Sequence, residues 1–308
     1  MQIGLVSDSL GELSFSAMLD WCAANDVQTV ELGTGNFSSA PHCKLDALLA
    51  SAAERQQLLD AVGSRGLAIS ALNCSGNVLD GSAERRQRSQ KIFFDTLELA
   101  RLLHVPVVVS MSGCPGEGSS SGLYPNWVTS TWQPEYQALL AWQWEQEIEP
   151  FWRSAAAAAA AGGIRIAIEM HPGQAVYNPY TLQQLLQVTG PVVGANLDPS
   201  HLFWQGIDPL RVIGALGPSI YHVHAKDCWI DPEEMALNGG LDNRLHGART
   251  WEHCSPGVGH GEVFWRSFVA ALDGCGFGGS LSIEYAGPRE DVGAGVRRTV
   301  ELLRRVGA

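Results

Sequence analysis

Seven consecutive alanines, Ala155 to Ala161, run into Gly162-Gly163 and then into Ile164-Arg165-Ile166-Ala167-Ile168-Glu169-Met170-His171-Pro172. Alanine is the strongest helix former, and glycine just past the last turn is the usual helix stop. The β-branched run that follows reads as a buried strand, which Pro172 ends. Helix, tight turn, buried strand and an acidic residue at the strand exit make one repeat of an alternating α/β chain. Three later stretches repeat the design: Val193-Gly194-Ala195-Asn196-Leu197-Asp198, Ile220-Tyr221-His222-Val223-His224 and Leu281-Ser282-Ile283-Glu284. Each is an apolar strand whose last residue is a good metal ligand.

Four further strands precede these: Ile3 to Val6, Thr29 to Leu32, Leu67 to Leu72 and Val105 to Val109. Helical periodicity separates them over Phe15 to Ala24, Ser51 to Arg65 and Ser89 to Leu103. Eight strands alternating with helices imply parallel pairing, and eight such units in 308 residues fit a (β/α)₈ TIM barrel of the α/β class, a single domain over residues 1–308. A doubly wound open sheet fits less well, because no Gly-x-Gly-x-x-Gly fingerprint follows the first strand. Two connections exceed simple loops, residues 113–141 and 228–259. They carry Trp127, Trp132, Trp229, Trp251, His246, Arg249 and His253. Both follow a strand, so both belong to the C-terminal face where barrel active sites form.

The chain carries 32 acidic and 20 basic residues, a formal net charge of −12. That balance argues against a phosphate-backbone partner and against an anionic membrane surface, both of which need Lys and Arg. The expected partners therefore include neither nucleic acid nor membrane, and the oligomeric state stays open, a homo-oligomer included. The seven cysteines include no C-x-x-C pair. They read as reduced thiols, and the N-terminus has no basic n-region or signal-like apolar run, so a cytoplasmic protein is expected.

Glu169, Asp198, His224 and Glu284 all fall at strand exits, which in a parallel barrel surround one axis. Three carboxylates and one imidazole suit a divalent ion: Mn²⁺ first, with Mg²⁺, Co²⁺ or Zn²⁺ as alternatives. His201, three residues past Asp198, is either a further ligand or a hydrogen-bonder to substrate. His171, two past Glu169, is the same or simply turns the strand end. His222 shares a strand face with His224 and points into the barrel one layer lower. Lys226 either neutralises oxyanion charge or is a solvated rim lysine. Glu31 and Asn73, at the exits of the second and third strands, are substrate contacts or structural. Gly257-Val258-Gly259-His260-Gly261-Glu262 lacks the Lys and context of a phosphate loop and reads as a turn.

The ordered set I-E-x-H-P, N-x-D-x-x-H, H-V-H-A-K-D and S-I-E-Y resembles the sugar phosphate isomerase/epimerase superfamily, the xylose isomerase-like barrels, over nearly the whole chain. The resemblance implies that Glu169, Asp198, His224 and Glu284 hold one divalent metal. It further implies that Glu169 and Glu284 are the acid/base pair and that His201 touches a substrate oxygen. The endonuclease branch is disfavoured, since its extra histidines and its D-x-H are missing here. Free-ketose epimerases carry charged groups where this chain has Ala175 and Ile230. The implied substrate is therefore a small carbohydrate or cyclitol of another kind, an inosose or a 3-keto-glycoside. Trp127, Trp132, Trp229 and Trp251 would then stack on a ring. The expected activity is a metal-dependent isomerase or epimerase acting by proton transfer α to a carbonyl. A lyase or deglycosidase sharing that first step, and a non-catalytic sugar-binding subunit, are the alternatives.

Overall fold

Eight parallel strands close on themselves in the order β1-β10-β7-β6-β5-β4-β3-β2, where β1 is Gln2–Val6, β2 Thr29–Gly33, β3 Ala68–Asn73, β4 Val107–Met111, β5 Arg165–Glu169, β6 Val193–Leu197, β7 Ile220–Ala225 and β10 Ser280–Ile283. The remaining two strands, β8 Asp227–Ile230 and β9 Trp251–Cys254, form a separate antiparallel pair. The structure is a computed structural model that describes residues 1–117, 123–285 and 291–308. Residues 118–122 of the 113–141 connection lie outside the described residues.

The expected (β/α)₈ architecture is thus the observed one. Parallel register sets the site: Met111 pairs with Glu169, Glu169 with Asn196, and Ser282 with His224. Glu169, Asp198, His224 and Glu284 therefore sit at the same ends of their strands. At the opposite ends, Gly4 makes room for a polar layer. A Cβ there would lie 2.4 Å from Ser280 Oγ and 2.5 Å from Thr29 Oγ1, and those two hydroxyls are 2.6 Å apart.

Contacts gather the chain into two compact units. One comprises Met1–Leu32, Leu58–Ser70 and Leu197–Ala308. In it Met18, Leu19 and Cys22 of the helix Phe15–Ala24 are fully buried, as are Trp265, Phe268 and Leu272 of the helix Glu262–Gly274. The other comprises Gly33–Gln57 and Ala71–Asn196. Its centre is an aromatic cluster in which Phe93 meets Trp152 edge-on at 5.7 Å and Phe151 at 5.8 Å. Trp152 is fully buried and satisfies its indole N–H by donating to Ser112 O at 2.9 Å.

The alanine run lies in the helix Glu149–Gly162, with Ala155, Ala156 and Ala159 turned inward and Gly163 capping it in the left-handed region at φ 69°. Small side chains on that face let the helix lie close to its neighbours. The third predicted helix begins at Ala83, a turn and a half before Ser89, because Ser82 caps it and accepts from Arg85 N. A capping serine ahead of a polar first turn carries little hydrophobic signal.

The long connections are more regular than their composition suggests. Helix begins at Pro134 within the first, and passes through a π-helical segment, Gln143–Ile148, into the alanine helix. The second holds β8, β9 and a short helix, Pro232–Asn238, capped by Asp231. No described helix is long and apolar enough to cross a membrane.

Candidate metal centre

Each of the four residues sits at the exit of a largely buried strand. Glu169 is 3 % exposed, Asp198 2 % and His224 1 %. Glu284 keeps 31 % of its side chain open, so it is the member of the four that faces incoming solute. One ligand atom from each of Glu169, Asp198, His224 and Glu284 lies within 4.8 Å of all the others. Two ligands of one ion stand at most about twice the metal–ligand distance apart, ~4.2–4.8 Å for distances of ~2.1–2.4 Å. All four atoms can therefore reach one centre.

The unsatisfied atoms point the same way. Asp198 Oδ2 and Glu284 Oε2 are buried and accept no hydrogen bond. Buried carboxylate oxygens are costly without a donor or cation, so two of them in one cluster fit a divalent ion. Cationic side chains stand near both: Lys226 Nζ is 3.1 Å from Glu284 Oε2 and 3.9 Å from Asp198 Oδ2, and His201 Nε2 is 3.2 Å from Asp198 Oδ2. Burial alone would raise both carboxyls. Lys226, His224 and His201 instead hold Glu284 well below the usual carboxylate range, and His201 and Lys226 do the same for Asp198. Both are thus ready as anions at neutral pH.

His224 uses its two ring nitrogens differently. Nδ1 is 3.2 Å from Glu284 Oε2, within the four-residue group. Nε2 is 3.1 and 3.2 Å from the two oxygens of Glu31. Although burial opposes the charged ring, the Glu31 and Glu284 carboxylates raise its pKa well above the ordinary histidine value.

The other residues singled out from sequence are placed as follows. Lys226 is buried, not a solvated rim lysine. His201 is buried beside Asp198, and the four-residue group forms without it and without His171. His171 is half-buried, with Nδ1 2.6 Å from Pro172 O. Asn73 turns its Oδ1 onto Ser75 N at 2.9 Å, closing the turn after β3. Glu31 is fully buried beneath His224. Of the four loop tryptophans, Trp251 is a correction. It stacks on Trp204 at 4.4 Å and 5°, with the Arg249 guanidinium 3.7 Å from its ring centre, so its faces are already covered within the protein. Trp127 packs edge-on against Tyr177 at 5.2 Å, while Trp132 is 77 % exposed.

Two features escape a reading by strand exits. His253 comes from β9, far along the chain, and packs edge-on against His201 at 5.0 Å. Burial, and then the charges of Lys226 and His201, push its pKa well below the usual value, so its ring is neutral. Asp227 is fully buried and pins the glycine-rich turn, accepting from Gly257, Gly259 and His260 amides at 3.1, 3.2 and 2.9 Å. The sequence signal for this was the acidic residue ending H-V-H-A-K-D together with a glycine turn some thirty residues on.

The comparisons with known proteins bear on the family and the fold. Residues 19–306 match the family model for the xylose isomerase-like TIM barrel. An uncharacterized protein, YfiH of Bacillus subtilis (strain 168), is 39 % identical over 311 residues, covering 99 % of each chain. Among solved structures, the probable 3-DHS dehydratase AsbF of Bacillus anthracis superposes with a TM-score of 0.69 at 15 % identity, covering 99 % of both chains. A D-tagatose 3-epimerase-like protein gives 0.66 at 19 % identity, covering 99 % of this chain and 98 % of its own. At those identities the two structures speak for the fold.

Proposed function

The chain belongs to the xylose isomerase-like TIM-barrel family, and from that premise we propose that it is a divalent-metal-dependent isomerase or epimerase of a cyclic keto-sugar or keto-cyclitol. The observation that carries the reading is the convergence of Glu169, Asp198, His224 and Glu284 ligand atoms within 4.8 Å, three buried or half-buried carboxylates and an imidazole at one point. Mn²⁺ is the proposed ion, on the strength of three oxygen ligands and one imidazole. When bound, a divalent ion there polarises a carbonyl oxygen and the hydroxyl beside it.

The protein's own groups account for the rest. Glu284, ionised and the most open of the four, takes the proton α to the carbonyl. Lys226, 3.1 Å from Glu284, supplies positive charge where negative charge grows on the substrate oxygen. Glu169 returns a proton to the opposite face, and the two carboxyls reset by exchange with solvent. His201 and His253 are offered to substrate hydroxyls, the first beside Asp198 and the second as a neutral ring. A pure binding protein has no need for two opposed carboxylates at one cation.

A second outcome starts identically. Elimination of a β-substituent needs an extra proton donor for the leaving group, and the His201–His253 pair, 5.0 Å between ring centres, is such a source. The similarity in fold to a probable dehydratase is compatible with it.

The metal is tested on protein purified without chelator or nickel resin. Elemental analysis should find about one divalent ion per chain, and chelator should lower the melting temperature, since a ligand bound only by the native state stabilises it. Metal-free protein whose melting is indifferent to added Mn²⁺, Mg²⁺ or Zn²⁺ would remove the centre.

A further inference from the structure

Glu31, the last polar residue of β2, lies one layer below the four-residue group and takes both histidines of β7. His222 Nε2 is 2.6 Å from Glu31 Oε2 and 3.0 Å from Ser282 Oγ. His224 Nε2 is 3.1 Å from Oε1 and 3.2 Å from Oε2 of the same carboxylate. Glu31 is 0 % exposed, His222 2 % and His224 1 %. Glu31, His222 and His224 have the composition and closeness of a small metal site of their own. Their separations are those of hydrogen bonds already made, however, with both rings engaged by the one carboxylate.

We propose that Glu31 is a positioning residue, which acts through His224 and does not touch substrate. A carboxylate only accepts, so each nitrogen facing it carries the proton. Glu31 therefore fixes a proton of His224 on Nε2, so that Nδ1, which faces Glu284 Oε2 at 3.2 Å, is the nitrogen that would give up its proton to hold an ion with Glu169, Asp198 and Glu284. Ligand imidazoles are commonly held this way by an outer carboxylate, which sets both tautomer and ring orientation. His222 holds the carboxylate from below, and Ser282 Oγ holds His222 in turn at 3.0 Å from its Nε2. The inference rests on the reading of the four residues as a metal centre. It adds that the affinity and geometry of that centre depend on a residue outside it, brought from the opposite end of the chain.

The test compares Glu31→Ala, Glu31→Gln and wild type in one titration with Mn²⁺ and one with Zn²⁺. Outer partners of this kind are typically worth ~10–100-fold in metal affinity. Glu31→Ala should weaken binding by that factor. Glu31→Gln, which keeps one acceptor oxygen, should recover part of it. Long-range ¹H–¹⁵N spectra of the Zn²⁺-loaded protein should show His224 Nε2 protonated and slow to exchange in wild type. In Glu31→Gln that proton should exchange faster. A variant that is merely less stable would not alter this signal selectively. If Glu31→Ala fails to fold, the Gln variant carries both readouts. Wild-type affinity with an unchanged His224 proton in the Gln variant overturns the proposal, as do two ions per wild-type chain. A wild-type chain that takes up no metal overturns the metal reading itself, and the orienting role with it, and so is told apart from failure of this inference alone.

Discussion

Lys226 places its ammonium 3.1 Å from Glu284 Oε2 while 94 % of the residue is out of solvent, a buried cation set against the carboxylate proposed as base. It also stands 3.9 Å from Asp198 Oδ2. A positive charge so close to two carboxylates would compete with a metal ion for their charge, and under the proposed function it would serve the substrate oxygen. Lys226→Met should bind Mn²⁺ at least as tightly as wild type and lose ~10²-fold in kcat. Wild-type turnover in that variant would take Lys226 out of the chemistry.

The four ligands should separate by role. Asp198→Asn and His224→Ala should lose metal and activity together, because Asp198 is a buried anion at the centre of the group and His224 joins two carboxylates. Glu284→Gln and Glu169→Gln keep an amide oxygen for coordination but cannot carry a proton. Each should retain measurable metal and lose at least ~10²-fold in turnover. Metal content by elemental analysis beside steady-state rates decides it, and near-normal turnover in a Gln variant would remove that residue as acid or base.

The β8–β9 hairpin should depend on Asp227. A Cβ on Gly259 would sit 2.2 Å from Cys228 O and 2.6 Å from its carbonyl carbon, so the turn cannot admit alanine without moving backbone. Gly259→Ala should cost ~1–3 kcal/mol by overpacking. Asp227→Ala, which removes the shared acceptor of the Gly257, Gly259 and His260 amides and of the His260 ring, should cost at least as much. Because His253 rides on this hairpin, both variants should also raise KM. Thermal melts and kinetics that match wild type would show the turn to be unimportant.

Thiol reactivity should follow burial. Cys22, Cys74 and Cys114 are pushed up to about 12 by burial, and Cys43 and Cys228 are also buried. Only Cys254 and Cys275 are partly open. The thiolate is the reactive form. Iodoacetamide at pH 8 on native protein should therefore label these two and spare the other five until denaturant is added. Mass spectrometry of the digest reads this directly, and early labelling of Cys74 would contradict it.

The barrel was legible because its strands are apolar runs with acidic or imidazole side chains at their exits, so one pattern marked both the element and the candidate site. Glu169, Asp198, His224 and Glu284 could be named in advance for that reason. Lys226 could be named but not placed: whether a lysine after a strand is solvated or folded back depends on neighbours distant in sequence. Glu31 was visible as a strand-exit acid. Its pairing with His222 and His224, 191 and 193 residues away, comes from closure of the barrel, which no local pattern encodes. His253 lay in a stretch rich in Gly, Arg and Trp, and only the antiparallel pairing of Cys228 with His253 brings it to the site. Trp251 was misread because an aromatic in a long loop looks the same in sequence whether it awaits a ring or already has one.

If Glu284 and Glu169 move a proton α to a carbonyl at a cation, hydrogen exchange from solvent measures that step whatever the product. Inososes, 3-keto-glycosides, fructose and tagatose are to be incubated with the enzyme and Mn²⁺ in D₂O, quenched with chelator, and weighed by mass spectrometry. The account predicts deuterium at one carbon of a cyclic ketone, much slower entry into the ketohexoses, and none with prior chelation or in Glu284→Gln. Entry into ketohexoses alone would overturn the substrate class. No entry anywhere in the panel, or entry indifferent to chelator, would contradict the claim itself.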